Sequence, residues 1–265
     1  MYKISIVTVN FNNLKGLRRT IHSVLHQQYK SIEHIVVDGG STDGSREYIE
    51  SMKDFFSYWV SERDRGIYDG MNKGISKATG DYLLFLNSGD YFDDNNVLNK
   101  VMNKIEGKPD LIVCRQKFID NKGKKSISPI LRRYQICMGF FLSSTFPHQA
   151  TLINRSLFTL NGLYDEQYKV SADWVFWVRS VVEYKCSYVL SRVALSVMET
   201  GGVSNDMNKC HTDMENFLML YLEKGILKWE DIFEQSMRSR AFDFCEVHHF
   251  SKLMSKVLIW LGKYC

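Results

Sequence analysis

Residues 82–90 read YLLFLNSGD: five apolar residues from Tyr82 to Leu86, then Asn87, Ser88, Gly89 and Asp90. An apolar run this short suits a β-strand buried on both faces, as in a parallel sheet covered by helices. The tetrad behind it turns the chain and leaves a carboxylate just past the strand's carboxyl end. In open α/β sheets, that edge is where ligands bind.

Working outward, the same alternation repeats. Lys3 to Asn10, KISIVTVN, is a β-rich run. Leu14, Leu17, Ile21, Val24 and Leu25 then space a helical face, with Asn12 or Asn13 placed to cap it. Ile32 to Asp38, IEHIVVD, is a second strand, and Asp43 can cap a helix reaching about Met52. Ser57 to Ser61 is a shorter strand. Ile67, Met71 and Ile75 recur at one-turn intervals. A weaker helix is expected over residues 95–105, and a further strand over Asp110 to Ile119. This β-α-β-α-β-α-β order predicts an α/β fold with a doubly wound, mostly parallel sheet flanked by helices.

The second half is less regular. Residues 121–125, NKGKK, read as a basic turn, and Phe140 to Pro147 reads as an aromatic, flexible stretch. Ala150 to Ile153 suits a strand and Asp173 to Val182 a helix. Near the end, Phe250, Leu253, Met254, Val257, Leu258 and Leu261 form a helical stripe beside Lys252, Lys256 and Lys263. Such a helix can pack on the core or lie in an anionic membrane interface, where Arg132, Arg133 and the 140–146 aromatics offer a second contact.

Composition narrows the function classes. Of 265 residues, 45% are hydrophobic and 24% charged, as in a folded soluble protein. A net charge of +4 is too small for a nucleic-acid footprint. The six cysteines form no C-x-x-C pair, and no signal peptide is recognisable, so a reduced cytoplasmic setting is expected, with the inner membrane face as a further option. No run reaches the roughly 18 apolar residues of a membrane span. The G-x-G-x-x-G of a dinucleotide oxidoreductase is missing after the first strand, where the chain reads VTVNFNN.

Polar residues gather at three strand ends: Thr8 and Asn10, Asp38, and Asn87 to Asp90. Turn formation alone would also favour them. Asp90 can hold Mg²⁺ or Mn²⁺ with few protein ligands, since these ions keep waters and take substrate phosphate oxygens. The ion would offset charge on a departing diphosphate. Asp173 opens the helix WVFWV, either as a plain cap or as the one base that an inverting transfer needs to take a proton from an acceptor hydroxyl. His148 is placed either as an acceptor or diphosphate contact or as a satisfied core residue. Residues 201–204, GGVS, suit an anion-binding loop or a simple turn, and His211 lies beyond them.

The chain resembles glycosyltransferase family 2, with the GT-A fold, of the kind found in bacterial surface-polysaccharide biosynthesis. The matching segments are SIVTVNFN from Ser5, VVDGGSTDGS from Val36, DRGIYDGMNKGISKATGDYLLFLNSGD from Asp64, PHQATLINRSLF from Pro147 and SADWVFWVR from Ser171. The resemblance implies a Rossmann-like nucleotide-sugar transferase domain over residues 1–205 and a helical C-terminal extension over 206–265. It implies a nucleotide-sugar donor, with a UDP-sugar expected, and a carbohydrate or lipid-linked sugar acceptor. The transferred group would be a hexosyl or N-acetylhexosaminyl unit, in assembly of a capsule or lipopolysaccharide. Thr8, Asn10 and Asp38 would line the base and ribose, with Arg65 or Asp69 also facing the nucleotide. Asp90 would stand as the metal-binding acid of the D-x-D, with Asn87 and Ser88 nearby as nucleotide-binding residues, and Asp173 as the general base. The chain departs twice: Gly39 stands where many members have a second acid, and Ser88-Gly89-Asp90 keeps one acid of the D-x-D. A nucleotidyltransferase of similar fold and a non-catalytic scaffold are the alternatives. The first would show a Gly-rich phosphate loop, of which NFNNLKGLRR is a poor version.

Overall fold

The computed structural model describes residues 1–199 and 207–225. The first half is β1 (Ile4–Asn10), α1 (Leu14–Leu25), β2 (Ile32–Asp38), α2 (Ser45–Ser51), β3 (Tyr58–Ser61), α3 (Ile67–Lys77) and β4 (Tyr82–Phe85). These four strands lie side by side in the order β3-β2-β1-β4, all parallel, with Asn10 opposite Asp38. Strand–helix alternation is thus where the hydrophobic periodicity placed it. Asn13 is the residue that caps α1, accepting from the Gly16 N–H at 3.1 Å.

The second half departs from a purely parallel sheet. It contains β5 (Tyr91–Phe92), α4 (Val97–Met102), β6 (Leu111–Ile119), β7 (Lys125–Ile127), α5 (Met138–Ser143), β8 (Thr151–Asn154), α6 (Ser156–Asn161), α7 (Ala172–Val178), β9 (Tyr188–Glu199) and α8 (Met207–Glu223). The sheet continues β4-β8-β6-β9-β5, with β7 hung on β6. β8 runs antiparallel to both β4 and β6, and β5 antiparallel to β9. The long ladders, β1 with β2 and β6 with β9, are parallel. The sheet is therefore mostly parallel but mixed beyond β4.

The period of two along β1 and β2 explains the two-sided core. Val7, Val9, Ile35 and Val37 face α3, packing with Met71 and Ile75. The opposite face carries Ile4 and Ile6, and Val36 meets Leu17 and Ile21 of α1. α3 lies unusually close to β1. A Cβ at Gly74 would sit 2.4 Å from Val7 Cγ1, and one at Gly70 2.8 Å from Val9 Cγ1.

The turn from α3 to β4 is fixed by Glu33, whose side chain is 5% exposed. It accepts from Thr79 N–H (2.6 Å), Thr79 Oγ1 (2.7 Å), Gly80 N–H (3.0 Å) and Ser5 Oγ, and pairs with Lys3 Nζ at 2.6 Å. Burial alone would raise its pKa, but the bonds from Lys3, Ser5 and Thr79 outweigh it and bring the carboxyl to about 2.

The aromatic stretch expected to be flexible is instead ordered core. Phe140 and Phe141 lie on α5 and Phe146 follows it, all three buried, and Trp174 Nε1 donates to the Phe141 carbonyl at 2.7 Å. A six-residue helix is too short to reveal a period, so only its aromatic content was readable. α7 passes into a π-helical turn at Arg179–Glu183. α8, the start of the expected C-terminal extension, buries Phe217, Leu218 and Tyr221 in the same core cluster as Trp174. His211 lies on the backbone of α8. The loop at 201–204 and the stripe at 250–261 lie outside the described residues. Among the described residues, no helix is long and apolar enough to cross a membrane.

Candidate active site

The carboxyl ends of β1 and β2 meet in a tight polar network. Asp38 is fully buried and accepts four bonds. Asn10 Nδ2 (2.7 Å) and Ser41 Oγ (2.5 Å) reach Oδ1, while Ser41 N–H (2.9 Å) and Ser61 Oγ (2.6 Å) reach Oδ2. Burial pushes this carboxyl up, but the donors prevail and its pKa is lowered. Asn10 and Asp38 are therefore brought together at the expected edge, with Asp38 spent on organising it.

Thr8 is not brought to that edge. It sits two residues deeper, fully buried, with its hydroxyl 3.0 Å from His34 Nε2. Burial drops the pKa of that imidazole to about 3, so it is neutral. Thr8 and Asn10 share a strand face, but only Asn10 clears the end of the sheet.

Arg65 and Asp69 form the entry to α3. Arg65 Nη2 donates to Asp69 Oδ1 (2.8 Å) and to Glu166 Oε1 (2.9 Å), and the Arg65 N–H bonds Asp69 Oδ2 at 3.1 Å. Asp69 is buried and closes the first turn of the helix, while the Arg65 guanidinium is largely exposed.

The loop 87–90 is braced by α1. Asn13 Nδ2 donates to the Ser88 carbonyl (2.9 Å) and Arg19 Nη2 to the Gly89 carbonyl (2.6 Å). The Thr20 hydroxyl accepts from the Gly89 N–H (3.0 Å) and donates to the Asp90 carbonyl (2.7 Å). Gly89 has φ 111°, a left-handed backbone that suits glycine and explains the S-G-D order. Burial, the largest effect, pushes the Asp90 carboxyl up to about 7, against opposing pulls from Arg19, the Asn87 backbone and the Gln149 side chain.

A divalent cation fits this corner. Asp90 provides a carboxylate, and Asn87 Oδ1 is buried without a hydrogen-bond partner. Both are hard oxygen donors of the kind Mg²⁺ and Mn²⁺ prefer. Among the described residues, no group of three or more His, Cys, Asp or Glu is placed to hold a metal ion, so remaining ligands would be waters or phosphate oxygens.

Asp173, in the first turn of α7, turns toward α3. Its Oδ1 lies 2.8 Å from the Tyr68 hydroxyl, which shares its proton between that oxygen and the Val170 carbonyl, also at 2.8 Å. The N–H groups ahead of the helix are satisfied by Asp213 of α8, whose Oδ2 takes those of Val170 (3.0 Å) and Ser171 (3.3 Å). Asp173 lines a cleft of about 500 Å³ that also contains His148, Gln149, Arg115 and Phe146. His148 is a wall of this cleft. It stacks on Phe85 at 4.9 Å, its Nε2 lies 2.8 Å from Tyr164 Oη, and burial, opposed by Asp173, lowers its pKa.

Several residues here escaped the sequence reading. Tyr68 and Gln149 stand in segments already singled out, DRGIYDG and PHQ, but their partners are far away in sequence. Phe11, 63% exposed just beyond Asn10, offers an aromatic face at the carboxyl edge of the sheet. Arg19 carried no signal beyond its place on an amphipathic helix.

Known proteins provide an independent view. A family model described as glycosyl transferase family 2 matches residues 5–160. An uncharacterized glycosyltransferase of Mycobacterium tuberculosis (strain CDC 1551 / Oshkosh) is 35% identical over 205 residues, 76% of this chain and 77% of that one. Among solved structures, S. aureus TarS 1-349 in complex with UDP superposes with a TM-score of 0.67 at 18% identity, covering 94% of this chain and 74% of that one. The mannosyltransferase PcManGT from Pyrobaculum calidifontis, in complex with GDP-Man and Mn²⁺, gives 0.59 at 13% identity, covering 98% and 81%.

Proposed function

The chain belongs to glycosyl transferase family 2, and on that premise we propose that it transfers a sugar from a UDP-sugar to a hydroxyl acceptor with inversion, using Asp173 as base. The observation that carries this reading is one shared space. Asp173 and Gln149, the side-chain partner of Asp90, line the same cleft. A base and a diphosphate-binding corner would then share one cleft.

The acceptor hydroxyl oxygen bonds to the anomeric carbon as the bond from that carbon to the diphosphate oxygen breaks. The nucleoside diphosphate leaves, and the hydroxyl proton passes to Asp173. Tyr68 holds Oδ1 of Asp173 and leaves the second oxygen for that proton. Asp90 and Asn87 would hold Mn²⁺ or Mg²⁺, which when bound neutralises charge on the departing diphosphate. Asn10 and Phe11 would meet the base and ribose, and Arg65 would face the nucleotide only by leaving its pairs with Asp69 and Glu166. Asp38 keeps their edge in shape.

The cleft walls include Leu131, Leu142, Phe146, Leu190 and Met198. An apolar cleft suits a lipid-linked sugar acceptor of the kind used in surface-polysaccharide assembly, met at the inner face of the membrane.

The test is a thermal-shift screen of UDP-, GDP-, CMP- and dTDP-sugars with Mn²⁺, followed by UDP-release assays. A UDP-sugar should raise the midpoint by mass action. Asp173→Asn should keep that shift while turnover falls by about 10² or more. Equal release by Asp173→Asn and wild type would remove Asp173 from the chemistry.

A further inference from the structure

The nucleotide edge has an unassigned acceptor. Asp38, the acid at the end of β2, has both oxygens doubly engaged by Asn10, Ser41 and Ser61. A base N–H would have to displace one of these donors. The next position, where many family members have a second acid, is Gly39. Its missing side chain leaves room that another carboxylate fills. A Cβ at residue 39 would lie 2.5 Å from Asp64 Oδ2 and 3.0 Å from its Cγ. The same Oδ2 would be 3.5 Å from a Cβ at Gly70. Two glycines, one on the strand end and one on α3, thus make the space into which Asp64 reaches.

We infer that Asp64 replaces the absent acid at position 39 and accepts the imide N–H of a uracil ring, which makes it the residue that selects uridine over cytidine and guanosine. This rests on the donor reading above. The stereochemistry narrows the base. Asp64 Oδ1 is already held by the Gly66 N–H at 3.1 Å. One oxygen is left, and one oxygen matches a single ring N–H. Uracil presents one such donor between two carbonyls. Guanine would present two adjacent donors and need both oxygens, and cytosine has an unprotonated ring nitrogen there, which a carboxylate repels. Burial, with Asp69 and Asp38 nearby, holds the carboxyl above its ordinary pKa despite the Gly66 bond and Lys73, as expected of an acceptor short of donors.

Asp64→Asn tests this with little change of shape. The amide oxygen can keep the Gly66 N–H, which turns the NH₂ group toward the base. Binding of UDP and CDP with Mn²⁺ is measured by calorimetry for wild type, Asp64→Asn and the double variant Gly39→Asp/Asp64→Ala. Position 39 is not among the glycines with positive φ, so an aspartate there is conformationally allowed once Asp64 is truncated. Wild type should prefer UDP. Asp64→Asn should lose about tenfold or more in UDP affinity, the scale of one hydrogen bond to a charged group, and should gain on CDP. The double variant should recover the UDP preference, which a merely destabilised protein would not do. A wild type that binds neither nucleotide, or prefers CDP, overturns the donor reading and this inference with it. A wild type that prefers UDP with Asp64→Asn unchanged overturns the inference alone.

Discussion

Glu33→Gln probes the joint that sets β4, and with it Asp90, against β2. Wild-type Glu33 takes donors from Ser5, Thr79, Gly80 and Lys3, and its carboxyl titrates near 2 instead of 4.5. A gap of about 2.5 pH units at about 1.36 kcal/mol each gives roughly 3.4 kcal/mol. The Lys3 side chain is 44% exposed, so its share is screened, and about 2–3 kcal/mol is the expected loss at neutral pH. The charge is lowered in pKa by folding, so its contribution is complete above pH 4.5 and drains away as the pH falls toward 2. Urea unfolding of both proteins, followed by tryptophan fluorescence at pH 7, 5 and 3.5, should show a gap that narrows at the lowest pH while the m-values agree. A gap that stays constant from pH 7 to 3.5, or one below about 0.5 kcal/mol throughout, would refute an electrostatic role for this cluster.

Three further outcomes are expected. Asp90→Asn should abolish the metal-dependent part of UDP-sugar turnover with little change in circular dichroism; full turnover in excess chelator by wild type would argue against a metal at Asp90. Tyr68→Phe removes the donor to Asp173 Oδ1 and should lower kcat by about tenfold or more, the scale of a charged hydrogen bond, with donor KM unchanged; a rise in KM alone would give Tyr68 a binding role instead. Gly74→Ala places a methyl 2.4 Å from Val7 Cγ1 and should destabilise by about 1–3 kcal/mol through overpacking; a stabilised variant, as helix propensity alone would give, would mean α3 slides freely on β1.

The amino-terminal half was legible because each element announces itself locally. β1, β2 and β4 are apolar runs of strand length, and Leu17, Ile21, Met71 and Ile75 recur at helical intervals. The later half was less so. β9 is half-exposed along most of its length, β5 has two residues, and the reversal at β8 depends on neighbours rather than on its own TLIN. At the site, sequence gave the strand ends but not their depth. Thr8 and Asn10 look alike in a string, yet Thr8 meets His34 inside the sheet while Asn10 reaches Asp38 at the strand end. Asp173 could be singled out as an acid on an aromatic helix, whereas the phenol it meets lies 105 residues away. Gly39 read as a lost acid, and only the fold brings Asp64 into the space beside it.

The flush seating of α3 on β1 has a mechanical result. Asp64 and Arg65 lead into this helix and Tyr68 lies in its first turn, so one element presents side chains to the strand ends at its tip and to Asp173 along its flank. A tilt of that helix moves both groups at once. If Asp64 reads the base and Asp173 takes the proton, as proposed, the two would be geared to each other through Val7, Val9, Gly70 and Gly74, none of which needs to touch a ligand. Natural or engineered variation at positions 7, 9, 70 and 74 would then register in assays as an active-site lesion beyond its cost in stability.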